Sequence, residues 1–254
     1  MSHPLTRRTV LGGLASSGLL LGACGRLDNA TPFRQLLALS DRFTLSAERL
    51  VLAKRPLVRE LSAAEISAVF PTNGTTKPRG DAYARHLDTG FRDWRLRVHG
   101  LVERPLGLSL EELRALPSRS QITMHSCDEG WSAVGRWAGV PLARVLDLAG
   151  LRPGARFVVF HCMDRVEQDG NYYYESIDLF DAFHPQTILA YGMNGRPLPV
   201  GYGAPLRLRV ETQIGYKNAK YVERIEVVDS LGAIGKGRGG WWEDFDHAVW
   251  FAGQ

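Results

Sequence analysis

The order of strand-like and helical segments is the feature that most constrains the fold of this 254-residue chain. Apolar or alternating stretches typical of strands occupy residues 94–98, 121–124, 155–162, 172–177, 187–191, 205–210 and 222–228. Short helical segments are mixed among them without a regular alternation of strand and helix. Because a doubly wound parallel sheet requires that alternation, the order predicts a single α+β domain instead.

Several other segments carry helix signals. Residues 33–54 have apolar side chains at three- and four-residue spacings, which indicates an amphipathic helix. We expect its apolar stripe to pack against the domain; contact with a membrane surface is the alternative. A serine followed three positions later by a glutamate, at 62–65 and 109–112, predicts two capped short helices. Residues 142–149 have helical character and end at Gly150, a residue that suits a helix C-terminus.

The first residues have the pattern of an export signal. Residues 6–11 read Thr-Arg-Arg-Thr-Val-Leu, a twin-arginine motif. The apolar stretch at 10–23 is short for a bilayer span and leads into Leu-Gly-Ala-Cys, which is typical of a lipobox. We expect cleavage after residue 23 and lipid attachment to Cys24; an uncleaved membrane anchor is the alternative. The twin-arginine route carries folded proteins to the periplasm, which suits an enzyme loaded with a cofactor before export.

Composition excludes some classes of protein. The net charge is +4, from 31 Lys and Arg against 27 Asp and Glu, and no basic run is interleaved with aromatic residues. The sequence therefore gives no reason to expect nucleic-acid binding. There are 3 cysteines, too few for a disulfide scaffold. If Cys24 carries a lipid, Cys127 and Cys162 are left, and a disulfide between them is compatible with an oxidising compartment.

Cys127 has the most informative surroundings of any residue. A strand leads into it, and Pro141 beyond it suits the first turn of a helix. We therefore place Cys127 on a loop at a strand end, beside a helix, where functional groups concentrate. His125, Asp128 and Glu129 flank it, and burying all three would require partners for each. On spacing alone, a functional thiolate and a buried structural thiol are both open.

A second group of chemically active residues lies near the C-terminus. Arg207, Arg209, Lys217 and Lys220 fall within a short stretch that also contains several glycines. Because strand residues two apart share a face, both arginines are expected on one side of the same strand. Cations next to glycine-rich backbone suit a phosphate or another anion. A solvated polar face is the alternative.

Several segments, taken together, match one known family. They read Cys-Asp-Glu-Gly-Trp-Ser at 127–132, Tyr-Tyr-Glu-Ser-Ile at 173–177, Leu-Ala-Tyr-Gly-Met-Asn-Gly at 189–195, Gly-Ala-Pro-Leu-Arg at 203–207 and Gly-Tyr-Lys-Asn-Ala-Lys at 215–220. In this order they resemble the sulfite-oxidase-type molybdopterin oxidoreductases. The resemblance extends over most of the chain that follows the signal.

The resemblance implies a fold and a division of the chain. The fold is the α+β sulfite oxidase molybdopterin-binding fold, a single mixed-sheet domain with an N-terminal helix. We assign residues 1–23 to a twin-arginine lipoprotein signal and residues 24–69 to an N-terminal helical segment. Residues 70–230 are assigned to the molybdopterin-binding domain and residues 231–254 to a C-terminal tail packed on it.

The resemblance also implies roles for single residues. Cys127 matches the thiolate that ligates molybdenum, a soft ligand for such a centre, and Tyr173 matches the active-site tyrosine of the sulfite oxidases. The residues implied to contact the cofactor are Asn73, Cys162, Tyr202, Arg207, Asn218, Ala219 and Lys220. Among these, Arg207 matches the arginine that binds the pterin phosphate. Tyr202 stands where many members have histidine, and its hydroxyl could still donate to a phosphate.

One departure from the family points to a particular reaction. Sulfite oxidases follow their cysteine with a basic cluster suited to an anionic substrate, whereas Asp128 and Glu129 follow Cys127 here. The departure makes the chain more similar to the bacterial periplasmic methionine-sulfoxide-reductase-like catalytic subunits. The implied reaction is oxygen-atom transfer from a small or protein-bound sulfoxide-like substrate. Since no haem-attachment motif is present, electrons are expected from a separate membrane protein, with this chain a monomeric catalytic subunit held near it by lipidated Cys24.

Two other readings of the sequence stay open. The same cofactor could support the oxidation of sulfite. A non-catalytic lipoprotein could instead use Cys127 and Cys162 in a disulfide, or hold zinc with those cysteines together with His125 and His161.

Overall fold

The computed structural model describes residues 57–246 and 248–253. The predicted signal at 1–23, the lipidation of Cys24 and the predicted helix at 33–54 therefore lie outside the described residues. Within the described part of the chain, none of the helices has the length and apolar character needed to cross a membrane.

The helices are short; those at residues 63–65, 110–115 and 142–149 follow the predicted signals, and the other three were not predicted. Their bounds are Ala63–Glu65 for a 3₁₀ turn, Asp81–Asp88 for α1, Leu110–Ala115 for α2, Leu142–Ala149 for α3, Leu179–Ala182 for α4 and Trp241–Asp246 for α5. Both predicted capping boxes are formed; at α2 the Glu112 amide donates to Ser109 Oγ at 3.1 Å, and the Ser109 amide donates to the Glu112 carboxylate at 2.7 Å. Helix α3 has the predicted bounds, and Gly150 after it has a φ of +69°.

The described residues also form two further 3₁₀ turns, Val200–Tyr202 and Gly215–Lys217, and ten strands. The strands are β1 (Arg95–Gly100), β2 (Leu106–Ser109), β3 (Arg119–Ser126), β4 (Ser132–Pro141), β5 (Phe157–Arg165), β6 (Tyr172–Asp178), β7 (Ile188–Met193), β8 (Arg196–Pro197), β9 (Arg207–Arg209) and β10 (Val222–Val228). Each strand predicted from the sequence is present. Strands β2, β4 and β8 were not predicted, and β9 is shorter than the predicted 205–210.

The strands form two sheets. The first has the order β2-β1-β10-β5-β6, in which β1 and β10 run parallel and the other pairs antiparallel. The second has the order β3-β4-β7-β8, with β9 also paired to β7, and is antiparallel. The prediction of an α+β domain with a mixed sheet is confirmed. The division into two sheets was not predicted, since it depends on pairs between strands far apart in the sequence, such as β1 and β10.

The main core lies against the first sheet and includes α3. Leu142, Val145, Leu146 and Ala149, on one face of this helix, are completely buried in the same cluster as Phe160 of β5. Burying apolar surface of this kind is the main source of stability for such a domain. A smaller cluster around Trp137 and Phe70 lies on the second sheet, next to the site described below.

Close contact between β4 and β7 predicts one large effect on stability. A Cβ atom on Gly139 would lie 2.1 Å from the backbone oxygen of Leu189, where the β4–β7 register shifts. Because backbone cannot move aside as a side chain can, we expect Gly139→Ala to lower the free energy of unfolding by about 1–3 kcal/mol. Urea denaturation would measure it. Gly107→Ala, in β2 with open space around the new Cβ, should change stability by less than about 0.5 kcal/mol; similar losses in both variants would contradict the account.

Candidate active site

Cys127 is the first residue of the loop that joins β3 to β4. Ser126 at the end of β3 pairs with Ser132 at the start of β4, so these strands form a hairpin. The Cys127 amide donates to the Trp131 carbonyl oxygen at 2.9 Å, and Gly130 closes the loop with a φ of +89°. The predicted place at a strand end is therefore correct, but a second strand follows the loop, where the sequence suggested a helix.

The Cys127 thiol is nearly buried and is hydrogen bonded on both sides. Asn73 donates from Nδ2 to Sγ at 3.2 Å, and the thiol donates to Asp128 Oδ1 at 3.4 Å. Burial raises the pKa of the Cys127 thiol to about 11, and the nearby carboxylates of Asp128 and Glu129 add to this effect. The thiolate needed for metal ligation therefore requires a cation at the sulfur, which a bound metal supplies.

A cavity of about 1150 Å³ lies next to this loop. Most of the residues predicted to form the site line it: Asn73, Tyr173, Arg207, Asn218, Ala219 and Lys220. Asp128 and Glu129 bring the Cys127 loop to the same cavity. Gly215, which also lines it, approaches so closely that an added Cβ would lie 3.3 Å from the Cys127 Cα. The structure thus brings together the predicted thiol loop and the predicted basic residues.

Arg207 is a buried cation with one hydrogen-bond donor that is not used within the protein. Its Nη1 donates to the Tyr202 carbonyl oxygen at 3.0 Å and its Nη2 to the Asn218 carbonyl oxygen at 3.1 Å, while Nε has no partner. Burial lowers the pKa of the Arg207 guanidinium to about 9, and the positive charge of Arg209 acts in the same direction. A buried donor of this kind, left without a partner, is suited to an anionic ligand.

Lys220 is a second buried cation in the same wall. Its ammonium donates to the carbonyl oxygens of Asn73 at 2.7 Å, Gly201 at 3.2 Å and Thr75. Burial lowers its pKa to about 7, helped by the charge of Arg207. Within residues 57–246 and 248–253, neither cation forms an ion pair with a carboxylate. Together they place two positively charged groups without a carboxylate ion pair in the cavity wall, where both could contact an anionic ligand.

The other two members of the predicted basic group do not belong to the pocket. Arg209 donates from Nε to Glu211 Oε1 at 3.0 Å, and Lys217 donates to Glu243 Oε1 at 2.8 Å and to Glu175. These groups are completely or almost completely buried; Arg209 has one carboxylate partner and Lys217 has two, so neither cation lacks an anion. Arg209 and Lys217 therefore stabilise the structure behind the cavity, and the predicted anion site is reduced to Arg207 and Lys220.

Asn218 and Tyr173 face the cavity but use their polar atoms on the protein. Asn218 Oδ1 accepts from the Val210 amide at 2.9 Å, and its Nδ2 donates to the Ile214 carbonyl oxygen at 3.0 Å. The Tyr173 hydroxyl donates to the Tyr216 carbonyl oxygen at 2.7 Å. Burial raises the pKa of that hydroxyl well above its usual value. Tyr173 is therefore a neutral group held in one orientation.

Tyr202 and Cys162 are placed away from the cavity wall. The Tyr202 hydroxyl donates to the Phe70 carbonyl oxygen at 2.6 Å, so the contact with a phosphate suggested by the sequence is replaced by an internal one. The Tyr202 carbonyl oxygen accepts the hydrogen bond from Arg207 described above. Cys162 is buried in β5, opposite Val222 of β10, and burial raises the pKa of its thiol well above the usual value. Neither residue lines the cavity.

The structural alternatives for the two cysteines have no geometric support in the described part of the chain. Cys127 and Cys162 are both free thiols. No group of three or more His, Cys, Asp and Glu side chains among the described residues is arranged to hold a metal ion. His125 is buried against Arg209, with its Nδ1 at 2.7 Å from the guanidinium, and His161 lies at 2.9 Å from Glu226. Both histidines are held by protein groups, in the manner of structural residues.

Asp164 is a candidate site residue that the sequence did not reveal. It lies on β5 with 5% of its surface exposed, lines the cavity, and its Oδ1 has no hydrogen-bond partner. Burial raises the pKa of this carboxyl group to about 6. A buried acceptor open to a cavity suits a ligand that donates N–H groups. Its sequence context, Cys-Met-Asp-Arg within a strand, carries no motif that would have marked it.

Comparison with known proteins identifies the family. Residues 84–231 match the family described as "Oxidoreductase molybdopterin binding domain". The chain belongs to this family. It is a molybdopterin-dependent oxidoreductase, as the sequence resemblance implied, and its cofactor is molybdopterin.

Individual relatives agree with this assignment. The chain is 38% identical, over 98% of its own length and 86% of the relative's, to the "Putative protein-methionine-sulfoxide reductase subunit YedZ1" of Azospira oryzae. It is 37% identical to the "Protein-methionine-sulfoxide reductase catalytic subunit MsrP" of Xanthomonas axonopodis pv. citri, over 62% of this chain. It spans 51% of the length of that second relative. Among solved structures, sulfane dehydrogenase SoxCD from Paracoccus pantotrophus matches 59% of this chain and 45% of its own, with a TM-score of 0.49 and 24% identity.

The residues of the cavity fit molybdopterin. The cofactor carries a phosphate, a pterin with N–H groups and a metal that accepts a thiolate. Arg207 and Lys220 offer two unpaired cations for the phosphate, Asp164 offers a free carboxylate oxygen for N–H donors, and Cys127 offers the sulfur. The cations, the carboxylate and the thiol in or next to the cavity thus correspond in chemistry to the phosphate, the N–H donors and the metal of the cofactor.

The lowered pKa of Lys220 predicts that anion binding depends on pH. The cofactor-free protein loses this proton as pH rises through about 7. An anion favours the protonated form, so its affinity is highest below pH 7 and falls above it, by up to about tenfold per pH unit. Calorimetric titration of the cofactor-free protein with sulfate, which does not titrate in this range, would measure the fall between pH 6.5 and 8.5.

Arg207 and Asp164 are charged neighbours of Lys220 in the cavity wall. A matched variant separates the pH effect of Lys220 from theirs. Lys220→Arg keeps the cation but does not deprotonate in this range, so its affinity for sulfate should change much less with pH. An affinity of the wild type that is constant between pH 6.5 and 8.5 would contradict the role of Lys220.

Proposed function

We propose that this chain catalyses the reduction of sulfoxides by oxygen-atom transfer, with methionine sulfoxide, free or in a protein, as the substrate class. The observation that carries this proposal is the pair of carboxylates, Asp128 and Glu129, which follow Cys127 and line the cavity. Negative charge at this position disfavours an anionic substrate such as sulfite and tolerates a neutral sulfoxide. The names of the two relatives support the same substrate class.

The arrangement of the site suggests separate roles for the cofactor and for the protein residues. When bound, the molybdenum cofactor supplies the two-electron oxygen-atom transfer chemistry. Cys127 would hold the metal, and Asn73, which donates to Sγ at 3.2 Å, orients that sulfur. Arg207 and Lys220 would bind the phosphate and keep the cofactor in register with the thiol. A ligand held by several buried groups on strands is positioned more rigidly than one held by a surface loop.

Protons and electrons must both be delivered to this site. Reduction of a sulfoxide to a sulfide and water consumes two electrons and two protons. Carboxyl groups are common general acids in enzymes, and Asp128 and Glu129 line the cavity. Glu129 is held by Trp131, whose Nε1 donates to Oε2 at 3.0 Å. The electrons would come from a separate membrane protein.

The cellular setting is part of the proposal. We infer that the twin-arginine signal exports the folded, cofactor-loaded chain to the periplasm, and that lipid on Cys24 holds it at the membrane as a monomeric catalytic subunit near its electron donor. Cell fractionation tests this: the full chain should be found with membranes, and Cys24→Ser should be found in the soluble periplasm. Retention of Cys24→Ser on membranes would contradict a lipid anchor at this residue.

The reaction is tested by comparing two assays on the same molybdenum-loaded preparation. One follows the oxidation of a chemical reductant by methionine sulfoxide, and the other follows the reduction of an electron acceptor by sulfite. We expect a much larger kcat/KM for the sulfoxide. A higher kcat/KM for sulfite would overturn the proposal in favour of the sulfite-oxidising alternative, and no turnover of either by a loaded enzyme would overturn both.

A further inference from the structure

Three aromatic residues from separate parts of the chain line the cavity. Tyr173 comes from β6, Tyr216 from the 3₁₀ turn Gly215–Lys217, and Trp242 from α5 near the C-terminus. The Tyr173 hydroxyl donates to the Tyr216 carbonyl oxygen at 2.7 Å, which joins the first two. We call this set the aromatic wall.

A buried ion cluster holds the three segments of the aromatic wall together. Lys217 follows Tyr216 in the chain, Glu243 follows Trp242, and Glu175 lies two residues after Tyr173 on the same strand. The Lys217 ammonium donates to both carboxylates, and all three side chains are at most 1% exposed. Such a cluster costs desolvation energy and is weak as a source of stability, but it constrains which segments lie side by side.

The aromatic wall lies near the sulfur that is expected to hold the metal. Gly215, which precedes Tyr216, is the residue whose added Cβ would meet the Cys127 Cα at 3.3 Å. Burial raises the pKa of the Tyr216 phenol, and the charges of Glu243, Glu175 and Asp128 act in the same direction, which places Asp128 near this ring. A substrate that enters between the wall and the Cys127 loop would therefore meet aromatic rings on one side and carboxylates on the other.

The chemistry of this wall suits the carbon substituents of a sulfoxide. Sulfur and adjacent alkyl groups make favourable contacts with aromatic rings at about 5 Å, and aromatic faces carry a negative potential that disfavours anions. The wall therefore favours a neutral, carbon-substituted sulfoxide over inorganic sulfite, and the favourable contact grows with the size of the substituents.

We propose that the aromatic wall is the binding surface for the organic substituents of the substrate, and that Trp242 is a specificity-determining residue on it. This inference rests on the proposed function, because it assumes that a sulfoxide is the substrate. It adds a role for the C-terminal segment, which brings a residue into the cavity from outside the stretch that matches the family.

The test compares a large and a small sulfoxide. Methyl p-tolyl sulfoxide should contact the wall more extensively than dimethyl sulfoxide, so the wild type should prefer it in KM. In Trp242→Ala we expect the KM for methyl p-tolyl sulfoxide to rise about tenfold, with the KM for dimethyl sulfoxide and both kcat values changing much less. Trp242→Phe, which keeps an aromatic ring, should retain most of the preference.

Equilibrium binding provides a measurement that does not depend on turnover. Methyl p-tolyl sulfone, which has the same substituents and is not a substrate for sulfoxide reduction, should bind about tenfold more weakly to Trp242→Ala than to the wild type. Asp246→Ala is the matched control, because Asp246 is on the same helix, is exposed and does not line the cavity. Molybdenum content should be the same in all variants.

Each outcome has one meaning. Unchanged sulfone affinity and an unchanged KM ratio in Trp242→Ala, with the wild type active on both sulfoxides, would overturn the inference and leave the proposed function standing. Equal losses in Asp246→Ala would assign the effect to the stability of α5 and would also overturn it. No turnover of either sulfoxide by the loaded wild type would overturn the proposed function, and the inference with it.

Discussion

Replacing Cys127 with alanine is expected to reduce sulfoxide reduction at least about a hundredfold, more than the loss of a partner around a metal ligand usually causes. The thiol is the only sulfur of the β3–β4 loop, and the hydrogen bond from Asn73 directs it. Without it the metal would lose its protein ligand. Because the change removes one polar atom from a loop, the thermal unfolding temperature should remain close to that of the wild type. Steady-state assays on preparations normalised by molybdenum content would measure the effect.

Ser126→Ala provides the matched control for this prediction. Ser126 precedes Cys127, and the only side-chain hydrogen bond found for it in the described part of the chain is a long one, 3.5 Å, to Ser132. Its removal should leave activity within about twofold of the wild type, as expected for a surface substitution. Normal turnover in Cys127→Ala would rule out ligation of the metal by this sulfur.

Replacing Arg207 with methionine should lower the affinity for the cofactor by about 10–150-fold. Methionine keeps much of the side-chain volume but removes the guanidinium, and each hydrogen bond from a charged donor contributes about 1.5–3 kcal/mol. Arg207 Nε has no hydrogen-bond partner, and the guanidinium has no carboxylate partner. This indicates that a bound anion would supply the missing interactions. Molybdenum and pterin content after purification would measure the loss.

Arg196→Met is the control for a general loss of positive charge. Arg196 is exposed in β8 and does not line the cavity, so its replacement should leave molybdenum content unchanged. Full occupancy in Arg207→Met would contradict the phosphate-binding role and leave Lys220 as the main cation. Arg207→Lys should be intermediate, since lysine restores the charge without the planar fork of donors.

The parts of the fold that could be predicted are those with local signals. The capping boxes at Ser62 and Ser109 and the glycine after α3 each involve residues within one turn, and all are formed as expected. Strand β10 likewise has the predicted bounds. Strands β2 and β8 were missed because short or Pro-containing segments have no periodicity to detect. The separation into two sheets depends on long-range pairing, which a single sequence does not encode locally.

In the candidate site, too, residues marked by a local sequence motif were predictable, and residues whose role depends on their neighbours in space were not. The loop of Cys127 was recognised from its motif. By contrast, Arg207 and Arg209 are two residues apart on one strand and equivalent in pattern, yet Arg209 is neutralised by Glu211 and Arg207 is free to bind an anion. Lys217 and Lys220 differ in the same way. The three-dimensional positions of the carboxylates decide which cation is available, whether they are near in sequence, as Glu211 is, or far, as Glu175 and Glu243 are. Asp164 was missed because its place in the cavity wall has no local signal.

Molybdenum X-ray absorption of the wild type and of Cys127→Ala is the most direct test of the central claim, which is that this thiol ligates the metal in the cavity shared with Arg207 and Lys220. The account predicts that the sulfur shell around molybdenum loses one neighbour in the variant, which is the thiolate of Cys127. An identical sulfur shell in the two proteins would contradict it.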